Sequence, residues 1–529
     1  MRSERLAGGV ALLGVLAACG GGGGPVNPPP PFTAVKQVRV SEPSTFIAGC
    51  DGVLPTGTLY LDTAAEPYLA VNPGNPSNLI AAWQQNRWSD GGSQGLLLAA
   101  SFDGGASWTL THAAFSRCTG GGAGNTGDYA RATDVWLAVS PNGVTHALSL
   151  SFTGQSLTPG SSSGMLVAQS PDGGLTWSLP QPLIQDGSAF FNDKGSISAD
   201  PVDSNYAYAV WDRLTSATEG PSYFAMTNTA GASWQAARSI YDPGAGRQTL
   251  GNQIAVVPGL VVNVFTEIDN SGATSSAAVR AIQSRDHGMT WSAPVTVSDL
   301  AAVGTRDPLT GKVVRDGADL VSVSAGPGGV LYVVWQDSRF SGGQHDGIAL
   351  THSPDGGVTW SVPVQVNAEP SVQAFTPTID VRADGVFAVT YFDLRNDTAP
   401  GSFLTDCWMV ISTDGGITFH ESHLSGPFDL DLAPDAGGLF LGDYQSLANA
   451  GGAFLPLYVQ TDPGTAVQSD AFISFPAALA AAKSQQRGAP GKSFAALTAP
   501  PGLELSPAAR LRVAEGIRRV QAGRLNRNP

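Results

Sequence analysis

The octapeptide Ser353-Pro354-Asp355-Gly356-Gly357-Val358-Thr359-Trp360 recurs along this sequence with the same spacing of hydroxyl residue, aspartate, glycine and aromatic residue. Further copies occupy residues 101–108, 170–177, 284–291 and 412–419, and a degenerate copy at 227–234 has Thr229 in place of the aspartate. An aspartate accepts backbone N–H bonds in a tight turn, and glycine takes positive φ without strain. The motif therefore predicts a hairpin turn whose aromatic side chain fills the space between neighbouring sheets.

An active-site residue is seldom repeated in every structural unit, so the motif aspartates are interpreted as structural. They are Asp103, Asp172, Asp286, Asp355 and Asp414. Short aromatic-rich segments separate the motifs and define a unit of about 60 residues. Counting the second strand of each unit gives seven units, of which the last lacks the motif and a fourth strand of its own. The segment 35–40 resembles the other fourth strands and is predicted to complete the last unit.

Composition agrees with short strands and many turns, because the 529 residues include 65 Gly and 37 Pro and only 13% are charged. The pattern Ser-x-Asp-x-Gly-x-Thr-Trp resembles the Asp box of the BNR-repeat, sialidase-like β-propellers, over residues 66–476. The resemblance implies an all-β fold, a single seven-bladed β-propeller over 35–476 with an N-terminal strand closing the last blade. The six-bladed sialidase-type propeller stays open as the alternative.

The N-terminal segment has Arg2 and Arg5, an apolar run over 7–18, and then Leu16-Ala17-Ala18-Cys19. It resembles a bacterial lipoprotein signal peptide with its lipobox, and the run is too short to span a bilayer. The resemblance implies a signal over 1–19, lipidation of Cys19 and a Gly/Pro-rich tether over 20–34. We expect an extracytoplasmic protein, lipid-anchored to a bacterial membrane. The outer membrane or cell surface is favoured because Gly20, not Asp, follows Cys19.

An exported chain meets an oxidising compartment, so Cys50 and Cys118, both in Gly-rich loops, are predicted to form a disulfide. Cys407, in an apolar run, is predicted to be free and buried. The Ala/Pro-rich basic tail over 477–529 is expected to be solvated and partly disordered. A short helix carrying Val513, Ile517 and Val520 on one face is the alternative, and docking of this basic segment on the acidic propeller or on a membrane is a further one.

Lys and Arg number 28 against 43 Asp and Glu, for a net charge of −15. A nucleic-acid partner is disfavoured, because phosphate binding needs a basic surface. The sequence contains no phosphate-binding loop, dinucleotide fingerprint or zinc-protease motif, so no cofactor and no metal are predicted. We expect a monomer whose partner is a glycan or an envelope protein.

In a propeller, the starts of first strands and the ends of second strands open on the face opposite the Asp boxes. Opposed charges concentrate at those positions. Asp-x-Arg and related patterns after second strands recur and favour scaffold ion pairs. The non-recurring residues are better candidates for function: Arg131, Asp134, Asp193, Lys194, Glu267, Arg315, Asp443 and Tyr444.

Sialidases with the Asp box bind the substrate carboxylate with three arginines, attack with a tyrosine activated by a glutamate, and use an aspartate as acid/base. The resemblance implies Tyr444, Glu267 and Asp193 in those catalytic roles. The implied substrate-binding residues are Arg131, Arg315, Arg395, Lys194 and Asp134. The function implied is an exo-acting, exo-alpha-sialidase-like glycoside hydrolase on acidic glycans. The alternative is a non-catalytic glycan- or protein-binding platform at the cell envelope.

Overall fold

The computed structural model describes residues 35–462, 468–476, 493–498 and 505–525. The predicted signal peptide, Cys19 and the tether lie outside the described residues. Almost all regular structure is β-strand, in agreement with the all-β prediction. None of the described helices is both long and apolar enough to cross a membrane.

The strands fall into antiparallel groups, named sheets 1 to 7 in chain order, of which sheets 1 and 2 are joined by the single pair Ser93–Ala132. A separate strand, β1 (Lys36–Arg39), precedes them. Sheet 1 consists of β2 (Leu59–Val71), β3 (Leu79–Trp88), β4 (Ser93–Ser101) and β5 (Thr109–Thr111). Sheet 2 consists of β6 (Arg131–Val139), β7 (Thr145–Thr153), β8 (Ser162–Ser170) and β9 (Gln181–Gly187). Sheet 3 consists of β10 (Phe191–Ala199), β11 (Ala207–Leu214), β12 (Ser222–Thr227) and β13 (Arg238–Tyr241). Sheet 4 consists of β14 (Arg247–Val257), β15 (Leu260–Asp269), β16 (Ser276–Ser284) and β17 (Val295–Leu300).

The second half of the chain continues the pattern after a two-residue strand, β18 (Val314–Arg315). Sheet 5 contains β19 (Val321–Ala325), β20 (Leu331–Asp337), β21 (Gly347–Ser353) and β22 (Val364–Gln365). Sheet 6 contains β23 (Ala374–Val381), β24 (Phe387–Asp393), β25 (Leu404–Ser412) and β26 (Thr418–Asp429). Then come β27 (Leu439–Phe440), which pairs in parallel with β18, and the sheet 7 strands β28 (Ser446–Ala450), β29 (Ala453–Thr461) and β30 (Ser469–Phe475). The C-terminal elements are β31 (Ser493–Ala495), β32 (Leu497–Thr498) and the helix α1 (Pro507–Leu525). Short 3₁₀ turns lie at Arg117–Thr119, Pro327–Gly329, Ser338–Ser341 and Leu430–Leu432.

The N-terminal strand β1 belongs to sheet 7, whose order is β1-β30-β29-β28. Its register pairs Lys36 with Phe475 and Arg39 with Phe472 in antiparallel orientation. Sheet 7 also contacts sheet 1, because Ser469 Oγ donates a 2.7 Å hydrogen bond to the backbone carbonyl of Ala64. The first segment of the domain is thus held by the last, and this pairing removes an exposed sheet edge.

Each Asp-box turn is closed by its own aspartate. Ser353 Oγ donates to Asp355 Oδ1 at 2.8 Å, while the Thr359 backbone N–H and hydroxyl donate to the two carboxylate oxygens at 2.9 and 2.6 Å. The same contacts recur at Asp103, Asp172, Asp286 and Asp414. The bond from the Thr359 side chain is the main reason that the pKa of Asp355 falls to about 2. In the degenerate copy, Thr229 Oγ1 takes over as acceptor from the Ser233 N–H at 3.0 Å.

The second glycine of each box lies against the preceding sheet. Gly288 has φ 84, and a Cβ there would lie 2.4 Å from the Phe224 ring of sheet 3. Gly105 of sheet 1 similarly meets Ile473 and Phe475 of sheet 7. Only glycine combines this backbone conformation with so close an approach, so the box fixes the spacing between sheets as well as its own turn.

Cys50 and Cys118 form a disulfide with their Cα atoms 4.9 Å apart, which joins the segment before β2 to the loop after β5. Cys407 on β25 is free and buried. The thiol therefore lies in the apolar interior of sheet 6.

Residues 493–498 and 505–525 of the C-terminal segment form two short strands and a helix, and the helix was the alternative to a solvated tail. Strand β31 pairs with β26 and β32 pairs with β22, so each adds a fifth strand at the outer edge of a sheet. Helix α1 then buries Ala509, Val513, Ala514 and Ile517, of which Val513 and Ile517 pack in one cluster with Leu300 and Ala302. The sequence could not show that the helix docks. Its apolar face is buried only because a matching apolar surface lies between β17 and β18.

Because α1 is docked, shortening a buried side chain and an exposed side chain of this helix should lower the free energy of unfolding by different amounts. Ile517 is fully buried, whereas Leu511 is 58% exposed. We expect Ile517→Ala to lower the free energy of unfolding by about 2–5 kcal/mol and Leu511→Ala to change it by less than about 0.5 kcal/mol. Urea unfolding of the two variants beside the parent measures the difference. Equal effects would mean that α1 does not stay docked in solution.

Candidate functional site

One cavity lies where the first strands of all the sheets meet. We call it the axial cavity. Its volume is about 140 Å³, and each sheet contributes a residue from its first strand. In chain order these are Tyr68, Trp136, Ser196, Gln253, Ser322, Thr378 and Ser446. Side chains from distant parts of the chain come together in this cavity.

Several first strands carry an irregularity at the same point. In sheets 1, 2 and 3 the register shifts beside Glu66, Asp134 and Lys194, whose φ angles are 49°, 52° and 46°. Such angles are uncommon for residues other than glycine, and a β-bulge redirects the side chain that it carries. The three bulges bring three charged side chains to one end of the axial cavity.

The resulting central charge cluster consists of Glu66, Asp134, Lys194, Arg315 and Asp443. Lys194 Nζ lies 2.6 Å from Asp443 Oδ2 and 3.3 Å from both Glu66 Oε1 and Asp134 Oδ1. Arg315 holds Asp443 from the other side, with Nε and Nη2 at 3.1 and 2.8 Å from its two oxygens. Three carboxylates from sheets 1 and 2 and from the segment before β28 therefore converge on one ammonium group.

Burial and the neighbouring charges of the cluster give Glu66 and Asp443 different pKa values. Burial raises the pKa of Glu66 to about 7, with Lys194 opposing the shift and Asp134 adding to it. Burial also acts to raise the pKa of Asp443, but Arg315 and Lys194 outweigh it and hold that pKa well below its ordinary value. Near neutral pH one carboxyl group of the cluster thus titrates while its neighbour stays ionised.

Five of the residues singled out from the sequence come together here: Asp134, Lys194, Arg315, Asp443 and Tyr444. The Tyr444 ring lies 5.3 Å from that of Trp136, and its hydroxyl donates to the Val135 carbonyl at 3.3 Å. Burial raises the pKa of Tyr444 well above 10, and the charge of Glu66 raises it further. A phenol in this environment keeps its proton, which opposes the predicted role as a nucleophile.

Glu267, which was predicted to activate Tyr444, has other partners in the structure. Glu267 accepts hydrogen bonds from the Tyr241 hydroxyl and, at 3.3 Å, from Arg280 Nη2. The carboxylates whose charges act on Tyr444 are those of the central charge cluster. Asp193 is buried on β10, and its charge acts on Lys194. The end of a strand does not by itself fix where a long side chain finds its partner.

The three predicted substrate-binding arginines do not converge either. Arg131 Nη1 lies 2.7 Å from Asp90, and Arg395 lies 2.6 Å from Asp393 and 2.8 Å from Glu421. Arg315 is paired with Asp443. Each guanidinium is satisfied by its own carboxylate, so these residues do not assemble a sialidase-type carboxylate clamp.

The sequence singled out Asp443 without giving it a chemical role, and it did not single out Glu66 or Arg87. Arg87 is buried, lies 4.4 Å over the Phe440 ring, and its charge lowers the pKa of Glu66. The repeat itself carried a signal for the charged residues of the cluster. Glu66, Asp134 and Lys194 occupy the same position in their repeat units, two residues before the first-strand residue that lines the axial cavity. Superposing the repeat units would have grouped these three.

A second cavity, the cap cavity, lies on the other side of the cluster. It has a volume of about 290 Å³ and is lined by Lys194, Arg315 and Asp443. Gly516, Arg519 and Val520 of α1 form its other wall. The helix thus covers the end of the axis at which the candidate residues were expected to face solvent. Among the described residues, no group of His, Cys, Asp and Glu side chains is arranged to hold a metal ion.

Comparisons with known proteins give structural likenesses alone. No protein-family model matches the sequence, and no curated protein is significantly similar to it. The Hadza microbial sialidase Hz136 aligns with a TM-score of 0.40 and 18% identity over 62% of this chain and 63% of its own, less than two thirds of that protein. The α-L-arabinanase of Penicillium chrysogenum aligns with a TM-score of 0.44 and 16% identity over 68% and 94% of the two chains. The α-L-arabinofuranosidase of Fusarium graminearum gives 0.42 and 13% over 68% and 92%. At these scores no activity carries over to this chain, and the strand pairing alone describes its fold.

The cluster makes a prediction about two lysines. Lys194 is almost fully buried among three carboxylates, whereas Lys312 pairs with Asp431 at 2.6 Å but is 47% exposed. Lys194→Met leaves buried carboxylates without their shared cation and should lower the free energy of unfolding by about 3–5 kcal/mol. Lys312→Met should change it by no more than about 1 kcal/mol. Chemical denaturation at pH 7 compares the two variants, and a Lys194→Met protein as stable as the parent would contradict the role given to the cluster.

Proposed function

We propose that sheets 1 to 7 are the blades of one seven-bladed β-propeller, in which β1 is the outer strand of the last blade. The antiparallel register of β1 on β30 supports this, as does the contribution of every sheet to the axial cavity. A six-bladed ring would leave one four-stranded group without a place around the axis.

We propose that the protein is a glycan-binding propeller of the bacterial cell envelope, and that the axial cavity receives the saccharide. The observation that carries this proposal is a row of aromatic rings along one wall. Tyr68 and Trp136 have their centroids 4.2 Å apart, and Trp136 and Tyr444 lie 5.3 Å apart. Hydroxyl and amide side chains such as Ser322, Thr378 and Gln253 complete the lining. A few convergent polar groups on an aromatic wall are typical of small-molecule sites.

The charges of the cavity favour a neutral sugar. Lys194, its cation, is already surrounded by carboxylates, and Arg131 and Arg395 are paired elsewhere. An acidic sugar in the axial cavity would meet Asp380 and Asp443 without an unpaired guanidinium to offset them. Binding of a neutral saccharide unit is therefore preferred to sialic acid.

Glycoside hydrolysis is a second candidate, favoured by one observation. Glu66 has a pKa of about 7 beside the ionised Asp443. Two carboxyl groups with separated pKa values are what an acid and its partner carboxylate need in glycosidic bond cleavage. In this reading Tyr444 positions the sugar instead of attacking it, and Glu66, buried behind Lys194 and Asp443, is the proton source for those two cavity-lining groups.

The proposal for the cell envelope rests on the sequence of residues 1–34. The lipobox resemblance at Leu16-Ala17-Ala18-Cys19 supports a lipid anchor on Cys19, followed by a tether. The disulfide between Cys50 and Cys118 agrees with an oxidising compartment outside the cytoplasm.

A glycan array probed with the detergent-purified full chain tests the binding proposal. We expect neutral glycans to bind, and Trp136→Leu to weaken the best of them about tenfold, since it removes an aromatic face from the cavity wall. Trp177→Leu is the matched control, because Trp177 is a half-buried Asp-box residue of sheet 2 and does not line the axial cavity. Equal losses in both variants, or no bound glycan, would contradict the proposal.

The same ligands separate binding from hydrolysis. Incubation of each bound glycan with the parent and with Glu66→Gln, followed by measurement of released reducing ends, distinguishes the two. Release by the parent that disappears in Glu66→Gln favours the hydrolase. Binding without release favours the platform.

The anchor has its own test. Cys19→Ser removes the thiol that would be lipidated, so the protein should move from the membrane fraction to the soluble periplasmic or culture fraction. Fractionation and immunoblotting follow the change. Unchanged membrane partitioning of Cys19→Ser would contradict a lipid anchor at this residue.

A further inference from the structure

A third space, the arginine cleft, lies between α1 and the loops that follow β17 and β24. Its volume is about 480 Å³, and four arginines line it. They are Arg306, Arg395, Arg512 and Arg519. Two of the four come from α1, in a chain whose net charge is −15. This concentration of guanidinium groups differs from the axial cavity, whose lining contains no arginine.

Three of these arginines have hydrogen-bonding capacity left over. Arg512 Nε donates to the Gly343 carbonyl at 2.8 Å, and Arg519 Nη2 donates to the Val303 carbonyl at 2.5 Å. Arg306 lies 3.9 Å from Glu515, at a distance too long for a hydrogen bond. Within the described part of the chain, Arg512 and Arg519 are in no ion pair. A guanidinium has five N–H donors, so most of them remain available in the cleft.

Two of the three carboxylates of the cleft accept backbone hydrogen bonds from their own loops, and the second oxygen of Asp397 has no hydrogen-bond partner among the described residues. Asp307 accepts backbone N–H bonds from Leu309 at 2.7 Å and from Thr310 at 3.1 Å. Asp397 accepts from the Leu404 N–H at 3.1 Å. Glu515 is 62% exposed. These groups moderate the positive charge of the cleft without occupying the arginine forks.

The arginines also affect one another. The pKa of Arg519 is lowered, first by burial and then by the charge of Arg306. A lowered pKa means that the positive charge is unfavourable where it stands, and a bound anion would relieve this. Arg395 adds little to the positive charge of the cleft, because Asp393 and Glu421 already neutralise its guanidinium group.

We propose that the arginine cleft binds an anionic saccharide unit through its oxyanion, a carboxylate or a phosphate ester. Planar guanidinium forks match both kinds of oxyanion. The volume lies within the range of small-molecule sites and exceeds what a bare ion needs, so the ligand carries a sugar-sized body. The site is separate from the axial cavity and does not depend on a neutral glycan binding there. It exists only while α1 is docked, because Arg512 and Arg519 form one of its walls.

Calorimetric titration of the detergent-purified full chain with glucuronate, glucose 6-phosphate and glucose tests the proposal. At least one of the two anionic sugars should bind, while glucose should bind the cleft more weakly by tenfold or more. Arg512→Gln and Arg306→Gln should each weaken the anionic ligand about tenfold, the effect of one charge-assisted hydrogen bond. Arg518→Gln should not, because Arg518 is exposed on the same helix and does not line the cleft. Binding should also weaken as the salt concentration rises.

The titrations with glucuronate and with glucose 6-phosphate distinguish a carboxylate ligand from a phosphate ester. Preference for glucuronate indicates a uronic acid, and preference for glucose 6-phosphate indicates a phosphorylated sugar. Three results would overturn the proposal: no heat with either anion at millimolar concentration, equal weakening by Arg518→Gln, or loss of anion binding in Trp136→Leu but not in Arg512→Gln. The last result would assign the anion to the axial cavity. Melting temperatures of all variants identify any loss that is due to unfolding.

Discussion

The ion pairs of Lys194 constrain the centre of the molecule. Its ammonium group contacts carboxylates from sheets 1 and 2 and from the segment that leads into sheet 7. Burying so many charges is favourable only if all of them find partners with good geometry. The bulges at Glu66, Asp134 and Lys194 supply that geometry at the expense of strained backbone. The cluster therefore ties the first strands of sheets 1, 2 and 3 to the segment before β28, and Lys194 and Asp443 line both the axial cavity and the cap cavity.

The parts of the fold that follow local rules were predictable from the sequence. The Asp-box turn is built from residues within eight positions of one another, and the alternation of strands and turns follows from the same repeat. The strand at 35–40 was recognisable because it has the pattern of a fourth strand. The docking of α1 was not predictable, because its apolar face is short and the surface that receives it is formed by distant residues such as Leu300 and Ala302.

The candidate site was predicted in part, and the failures have a physical cause. Position at the start of a first strand was sufficient to select Asp134, Lys194, Arg315, Asp443 and Tyr444. It did not reveal which carboxylate each cation would choose. Arg131 takes Asp90 from a loop of sheet 1, and Arg395 takes Glu421 from two strands away. Such choices depend on side-chain reach across strands, which a repeat pattern does not encode. The two proposed sugar sites follow from these ion pairs. Because Arg131 and Arg395 are already paired, the axial cavity suits neutral groups, whereas α1 brings Arg512 and Arg519 to the arginine cleft.

The pairing of β1 with β30 also has a mechanical consequence. The four residues of β1 are the first strand in the described part of the chain, and they belong to the sheet that is formed by the last strands of the domain. Any tension applied to the chain before Lys36 reaches the domain through this short ladder of hydrogen bonds. If a membrane anchor holds the N-terminus, shear or drag on the domain loads the β1–β30 ladder before any other element. The hydrogen bonds between β1 and β30 then join the two ends of the domain and also bear an applied force first.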